Sequence, residues 1–391
     1  MSHLAPGPSP YPVAPQPAVA APAWAEPVRG RSASGSVFAI IGIVIGGLVG
    51  LLVVAYLALA LGASVLAIGS LLALVPLAGV LLAVRWVDRW EPEPRGALWF
   101  AFLWGAAVSV AIALVVDLGV ELAVAYSQPG GAADEVVRTV VQAPIVEELA
   151  KGLGVLLVFA FARWQFDGPL DGLVYAAVVA AGFAFTENII YFGSALIEGG
   201  AESLGATFVV RGIFSPFAHV LFTACTGLCI GIGARRGGGA GVIGWFLLGL
   251  AGAIGLHALW NGSLAFGDDA IGLYVTVQVP IFIAAVLLTV ALRRQEVRVT
   301  RRRLAEYAAV GWFSHAEVEL LATPAGRRQA RSWARAQHPP RTATMKRLIA
   351  DATHLAFARQ RIATGQGAAV AVVDEQALLA SIVAGRRALL R

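Results

Sequence analysis

Charge is scarce in this chain. Asp, Glu, Lys and Arg make up 14% of its 391 residues, against about 25% in an ordinary soluble domain, and the shortage excludes a water-covered globular protein. Lysine is nearly absent, with Lys151 and Lys346 its two occurrences. Cysteine is as rare: Cys225 and Cys229 stand four apart in one apolar run, where a disulfide across a helical turn is not a normal arrangement. They read as small core residues, not as a redox or metal pair. The first 36 residues lack a long apolar run and a basic stretch feeding a cleavage site, so no signal peptide is read there.

What is present is grease: 58% of the residues are hydrophobic, and the chain reads as an all-α, polytopic membrane protein of the cytoplasmic membrane. Residues 1–36 carry eight prolines among Ala, Gly and Ser and are expected to be a disordered tail. Residues 37–292 alternate apolar runs with short polar breaks, predicting about eight transmembrane helices near 37–62, 64–84, 97–124, 139–162, 171–193, 208–233, 241–264 and 270–292. Arginines collect in one alternating set of loops (Arg85, Arg89 and Arg95; Arg163; Arg235 and Arg236; Arg293 and Arg294) and acids in the other, which predicts both termini on the cytoplasmic side. Arg138 and Arg211 are exceptions, read as helix-end residues that snorkel. Residues 293–391 hold eighteen Lys and Arg against seven Asp and Glu, a basic helical cytoplasmic region expected to meet anionic lipid headgroups; it shows no platform for nucleic acid.

Against that background a few ionisable side chains stand out inside apolar segments: Glu147, Glu148 and Lys151 in VEELAK, Glu187 in FAFTENIIY, His219 in FAHV, and His257 with Asn261 in HALWN. An acid at the centre of a membrane helix costs roughly 2.5–3.5 kcal/mol even on the lenient insertion scale, so such groups mark function by default. With the predicted topology, Glu147 and Glu148 lie ~13 Å from the outer end of their helix, and Glu187, His219 and His257 fall in the same outer half. Residues three or four apart share a helix face. Glu147 and Glu148 therefore both reach toward Lys151, and Phe183, Glu187 and Tyr191 form one stripe. Ser215 and Pro216 are expected to loosen the backbone above His219. Asp117 and Glu121 read as interfacial, and Asp88, Glu91 and Glu93 as a loop stiffened by Pro92 and Pro94.

Three of these patterns, EELAK as EExxK, Phe183-x-x-x-Glu187-x-x-x-Tyr191 as FxxxExxxY and HALWN as HxxxN, occur in the order seen in PrsW-type intramembrane peptidases, a family related to the prenyl-protein and bacteriocin-processing peptidases. DRWEPEP at 88–94 also resembles that family's cytoplasmic loop. The likeness covers roughly residues 40–290. One departure is Ser215, at the position where the related prenyl-protein peptidases carry Phe four residues before a His, which touches the role of His219.

The resemblance implies hydrolysis of a peptide bond in a membrane-protein substrate, such as a single-span anti-sigma factor, near the extracytoplasmic side. Glu147 is the expected general base, with Glu148 held by Lys151 or assisting it. His219 and His257 would orient water or polarise the carbonyl, and Asn261 would donate to the oxyanion. No HExxH is present, yet His219, His257 and Glu187 form a ligand set suited to Zn²⁺, so a metal-dependent and a metal-free glutamate mechanism both stand. No organic cofactor is expected. A transporter using the same buried acids and histidines, or a non-catalytic scaffold, are the competing classes; a transporter would be expected to carry polar groups along a path to both surfaces.

Overall fold

The computed structural model describes residues 33–127, 134–163, 166, 168–236, 239–266, 269–365 and 368–390. The expected tail at 1–36 lies almost wholly outside them. The described residues are helical without a strand, as an all-α polytopic protein requires. Six stretches are long and apolar enough to cross a membrane: Val37–Leu61, Ala63–Val87, Arg95–Ser127, Pro169–Arg236, Gly241–Ala265 and Ile271–Ala309. With exposed Leu51, Leu52, Leu59, Leu71 and Leu82 on its flanks, this is a multi-pass membrane protein.

The membrane unit, residues 31–290, is built from α1 (Ala33–Leu61), α2 (Ala63–Val87), α3 (Arg95–Ser127), α4 (Ala143–Phe161), α5 (Pro169–Phe208), α6 (Ala218–Arg236), α7 (Gly239–Phe266) and the start of α8 (Val279–Ala309). Helix α5 is the central post. It passes α6 so closely that a methyl group on Gly172 would lie 1.9 Å from the Gly227 carbonyl oxygen, and one on Gly105 of α3 would lie 1.9 Å from the Val179 oxygen. Only a missing side chain allows such contact, which is how membrane helices gain packing energy where lipid offers no hydrophobic drive.

Three boundaries differ most from expectation, and one of them is the end of α8, which runs on to Ala309 rather than stopping near 292. Helix α5 runs on to Phe208 rather than stopping near 193, because Glu198, Ala201, Glu202 and Leu204 are good helix formers; the polar patch read as a loop is a kink at Gly200, whose φ is 63°. Helix α6 begins at Ala218 rather than 208, after a wide π turn at Val209–Phe214, since Pro216 has no N–H to continue the ladder. His219 consequently sits in the first turn of α6. Another π turn, Arg138–Gln142, precedes Pro144 at the head of α4, and a third, Trp104–Ser109, interrupts α3. Such turns re-aim side chains and are frequent near functional sites.

The second unit holds residues 291–391. There the end of α8, α9 (His315–Ala322), α10 (Pro324–Ala336), α11 (Thr342–Thr364) and α12 (Ala368–Leu390) enclose a core of Leu304, Leu321, Met345, Leu348, Leu355 and Ile382. Ser314 opens α9 with a capping box, its hydroxyl accepting from the Glu317 amide at 3.1 Å while the Glu317 carboxylate accepts from the Ser314 amide at 2.9 Å. The basic region is thus a folded unit, and part of its arginine content is spent internally: Arg359 on Glu306 at 3.0 Å, Arg361 on Asp374 at 3.4 Å and Arg386 on Glu317 at 2.9 Å.

Candidate functional site

Helix α4 places Glu147, Glu148 and Lys151 within one turn, all buried. Three charges in the interior of an apolar bundle require mutual compensation. Lys151 Nζ lies 2.5 Å from Glu148 Oε1 and 3.5 Å from Glu147 Oε2, and its cationic head rests 4.3 Å from the centre of the Phe183 ring. Glu148 is the most engaged of the three: Thr223 Oγ1 donates to its Oε2 at 2.8 Å, and His257 Nδ1 stands 3.1 Å from its Oε1. Glu147 has the ammonium as its near partner and turns the rest of its carboxylate toward a cavity.

The histidine tautomers follow from these partners. An ammonium can only donate, so His219 Nδ1, 3.2 Å from Lys151 Nζ, accepts. His219 Nε2 then carries the proton and donates to Glu187 Oε2 at 2.8 Å. For His257, Nδ1–H donates to the carboxylate of Glu148, which leaves the Nε2 lone pair facing Glu147 Oε2 at 4.0 Å. Phe222 stacks on the His257 ring with centroids 4.8 Å apart, and the two imidazoles meet edge to face at 5.3 Å.

These groups surround a cavity of about 300 Å³. Glu147, Glu187, His219, His257 and Asn261 line it; Glu148 and Lys151 sit behind the wall, with no exposed surface. Asn261 Nδ2 donates to the Thr139 carbonyl at 2.8 Å, which leaves its second amide hydrogen uncommitted to that bond. Tyr191 lies farther out on the same stripe as Phe183 and Glu187, and lines the cavity as well.

Of the two arginines that sequence reasoning placed at helix ends, Arg211 turns inward and Arg138 stays part-exposed at the mouth of the cavity. Arg211, in the π turn before α6, ion-pairs with Glu187, donates to Asn188 Oδ1 at 2.8 Å and stacks 3.9 Å above the Tyr191 ring. Arg138 joins Asp117 at 2.8 Å and Glu121 at 3.1 Å across the mouth, where Gln142 also reaches Asp117. Thr223 was missed altogether. The available signal was charge balance: a buried Glu187 needs a cation, and of the two arginines 24 positions away, Arg163 and Arg211, Arg211 is the one predicted on the same side of the bilayer.

For a metal, the side chains whose ligand atoms all come within 4.8 Å of one another are Glu147, His219 and His257. This trio differs from the expected set of His219, His257 and Glu187, because Glu187 is turned to Arg211 and His219. Two imidazoles and a carboxylate are a donor set that suits Zn²⁺, and the hydrogen bond from His257 Nδ1 to Glu148 is the outer support that zinc-binding histidines usually have.

Residues 93–287 match the sequence profile described as "PrsW family intramembrane metalloprotease". Among individual relatives, Protease PrsW of Clostridioides difficile (strain 630) is 32% identical over 163 residues, 41% of this chain and 63% of that protein. Protease PrsW of Geobacillus kaustophilus (strain HTA426) is 29% identical over 144 residues, 37% of this chain and 57% of that protein. Protease PrsW of Bacillus subtilis (strain 168) is 29% identical over 129 residues, 33% of this chain and 53% of that protein. The chain thus spans a little over half the length of these relatives. No solved structure matches. The matched segment contains all three motifs and every residue of the buried cluster, and the chain belongs to the PrsW family.

Proposed function

We propose that this chain is a membrane endopeptidase that hydrolyses a peptide bond of a membrane-protein substrate, with the cavity between α4, α5, α6 and α7 as its active site. The observation that carries the reading is convergence: four successive helices turn ionisable side chains to one cavity of about 300 Å³ inside an apolar bundle. Such groups are costly singly and useful together.

In this reading Glu147 is the general base, since its carboxylate faces the cavity and is the less engaged of the pair. It takes a proton from water as the water oxygen bonds to the scissile carbonyl carbon, then returns it to the amine as the carbon–nitrogen bond breaks. Glu148 positions His257 and anchors Lys151, whose positive charge offsets the two negative ones beside it. The amide hydrogen of Asn261 that Thr139 does not take serves the oxyanion as donor, and the Nε2 lone pair of His257 orients the water as acceptor. Glu187, braced by Arg211, holds His219 in one tautomer.

The trio of Glu147, His219 and His257 supports a second version in which those residues hold Zn²⁺. The ion would supply Lewis-acid polarisation of water and carbonyl. The substrate fits the class of single-span membrane proteins with an extracytoplasmic segment, anti-sigma factors among them, cut before a second protease acts. This rests on the resemblance and on the arginine pattern of the loops. Exposed arginines of the second unit, such as Arg302, Arg328 and Arg347, support its expected loose attraction to anionic headgroups.

The test is detergent-purified full chain against a panel of single-span substrates, beside Glu147→Gln and His257→Ala, with and without chelator. Loss of cleavage in both variants is expected. Undiminished cleavage in both overturns the assignment, and chelator sensitivity reversed by zinc selects the metal version. A proton or solute flux lost in the same variants assigns the cluster to a carrier.

A further inference from the structure

The DRWEPEP segment is not used by the chemistry above, and it shapes a second cavity. This one, of about 990 Å³, opens between the end of α2 and the beginning of α3. It borders Arg95, Leu98 and Phe102 of α3, whereas the reactive cavity borders Val110, Leu114 and Asp117 of the same helix, so the two lie toward opposite ends of the bundle.

The segment is folded inward. Asp88 Oδ1 accepts from the Glu93 amide at 2.9 Å, and Tyr175 donates to the Glu93 carboxylate at 2.6 Å. Pro92 and Pro94 hold the backbone extended between them. Drawing the acids in leaves Arg85, Arg89 and Arg95 exposed around the opening, and no ion pair among the described residues uses any of the three. Burial, reinforced by Asp171, holds the Glu93 carboxyl well above the usual carboxylate range, and burial raises Asp88 to about 6. At neutral pH Asp88 and the neighbouring Glu91 oppose three guanidiniums, so the rim stays net cationic.

The other wall is apolar. Leu77, Leu81 and Leu82 extend the cavity along α2 for ~12 Å at 1.5 Å per residue from Arg85. Leu82 is 67% exposed on the flank that meets hydrocarbon, and Trp86 and Trp99 stand at the polar end, where amphipathic rings favour the headgroup layer. A cationic rim continuous with an apolar wall that can cover most of an acyl chain's ~15 Å depth in one leaflet matches one ligand chemistry. We propose that the cavity between α2 and α3 is a binding site for an anionic glycerophospholipid, its phosphate held by Arg85, Arg89 and Arg95 and one acyl chain lying along Leu77, Leu81 and Leu82. The Leu wall is what argues for a lipid over a free phosphate ion, since a bare anion has no use for it.

The experiment is native mass spectrometry of the full chain from micelles doped with phosphatidylglycerol or phosphatidylcholine, at high salt so that loose attraction is screened. The wild type is expected to retain one phosphatidylglycerol in preference to phosphatidylcholine. Arg85→Gln/Arg89→Gln/Arg95→Gln should weaken that retention on the order of a hundredfold, given about fivefold per arginine at a membrane surface. Arg335→Gln/Lys346→Gln/Arg387→Gln, with equal charge removed from exposed residues that do not border this cavity, should retain the lipid as the wild type does. Should the first triple variant fail to fold, Arg89→Gln alone gives the same reading on a smaller scale. Equal retention of both lipids, equal loss in the two triple variants, or displacement of phosphatidylglycerol by millimolar inorganic phosphate would each overturn the proposal.

Discussion

The two units of this protein place charge in opposite ways. In the membrane unit, Glu147, Glu148, Lys151, Glu187, Arg211, His219 and His257 are linked in one continuous network against a cavity. In the second unit, the acids and arginines form smaller groups around a Leu- and Ala-rich core, from the chain Arg303, Glu306, Arg359 and Glu375 to the exposed pair of Arg301 with Glu319, and none of them borders the cavity. Both are helical, and both satisfy their ions. The difference is where the satisfaction ends: the second unit's pairs stop at each other or at solvent, whereas the buried network stops at an open space with Glu147 on its edge. Charge that converges on a space can act on a guest; charge dispersed around a core mainly specifies packing.

Substitutions can break or sharpen that contrast. The largest effect is expected from Glu147→Gln, which should lower cleavage by about 10²–10⁴-fold while the fold, read by thermal unfolding in detergent, is retained. A comparable fall in melting temperature would move Glu147 to the structural side. Next, Lys151→Ala leaves Glu148 buried beside no ammonium and should destabilise the membrane unit by about 3–5 kcal/mol. Arg301→Ala, at an exposed pair, should change stability by about 1 kcal/mol or less. Similar costs for the two would erase the distinction. Gly172→Val inserts carbon where the Gly227 carbonyl already sits and should cost roughly 1–3 kcal/mol or more through overpacking, seen as a lower unfolding midpoint.

The smallest effect concerns pH at the 88–94 segment. Asp88 is raised from its ordinary 3.8 to about 6 by burial, so between those values the folded segment keeps a proton that the unfolded chain has released. Its stability is therefore greatest toward acid and declines as pH climbs through about 6. Hydrogen exchange of residues 88–94, corrected for intrinsic rates, should show more protection at pH 5 than at pH 7.5.

The fold class was legible because hydrophobic run length is a direct readout of what a bilayer demands, and the motif-bearing residues were legible because ions are rare inside such runs. Helix ends were less so. Glu198 and Glu202 looked like a loop because polarity was taken as a break, yet their intrinsic preference is helical and only Gly200 bends the chain. Arg211 looked like an anchor at the membrane edge because a positive residue at a helix end usually is one. Its turn toward Glu187 depends on the π turn at Val209–Phe214, which has no clear signature in a single sequence. The arginine-rich C-terminal stretches showed helical periodicity, but their enclosure of a common core rests on contacts between segments far apart in sequence.

By itself, then, the amino-acid order determined that this chain is helical and membrane-embedded, and which few ionisable residues are too costly to be incidental. Tertiary structure alone decided that Glu148 and Lys151 lie behind the cavity wall while Glu147 lines it, that His219 is held between Lys151 and Glu187, and that Glu147 rather than Glu187 stands with the two histidines. The reason is physical: the cost of burying an ion is local and can be read along the chain, whereas its compensation comes from partners up to 109 positions away, as for His257 and Glu148, and which oxygen they reach is settled only when the helices pack.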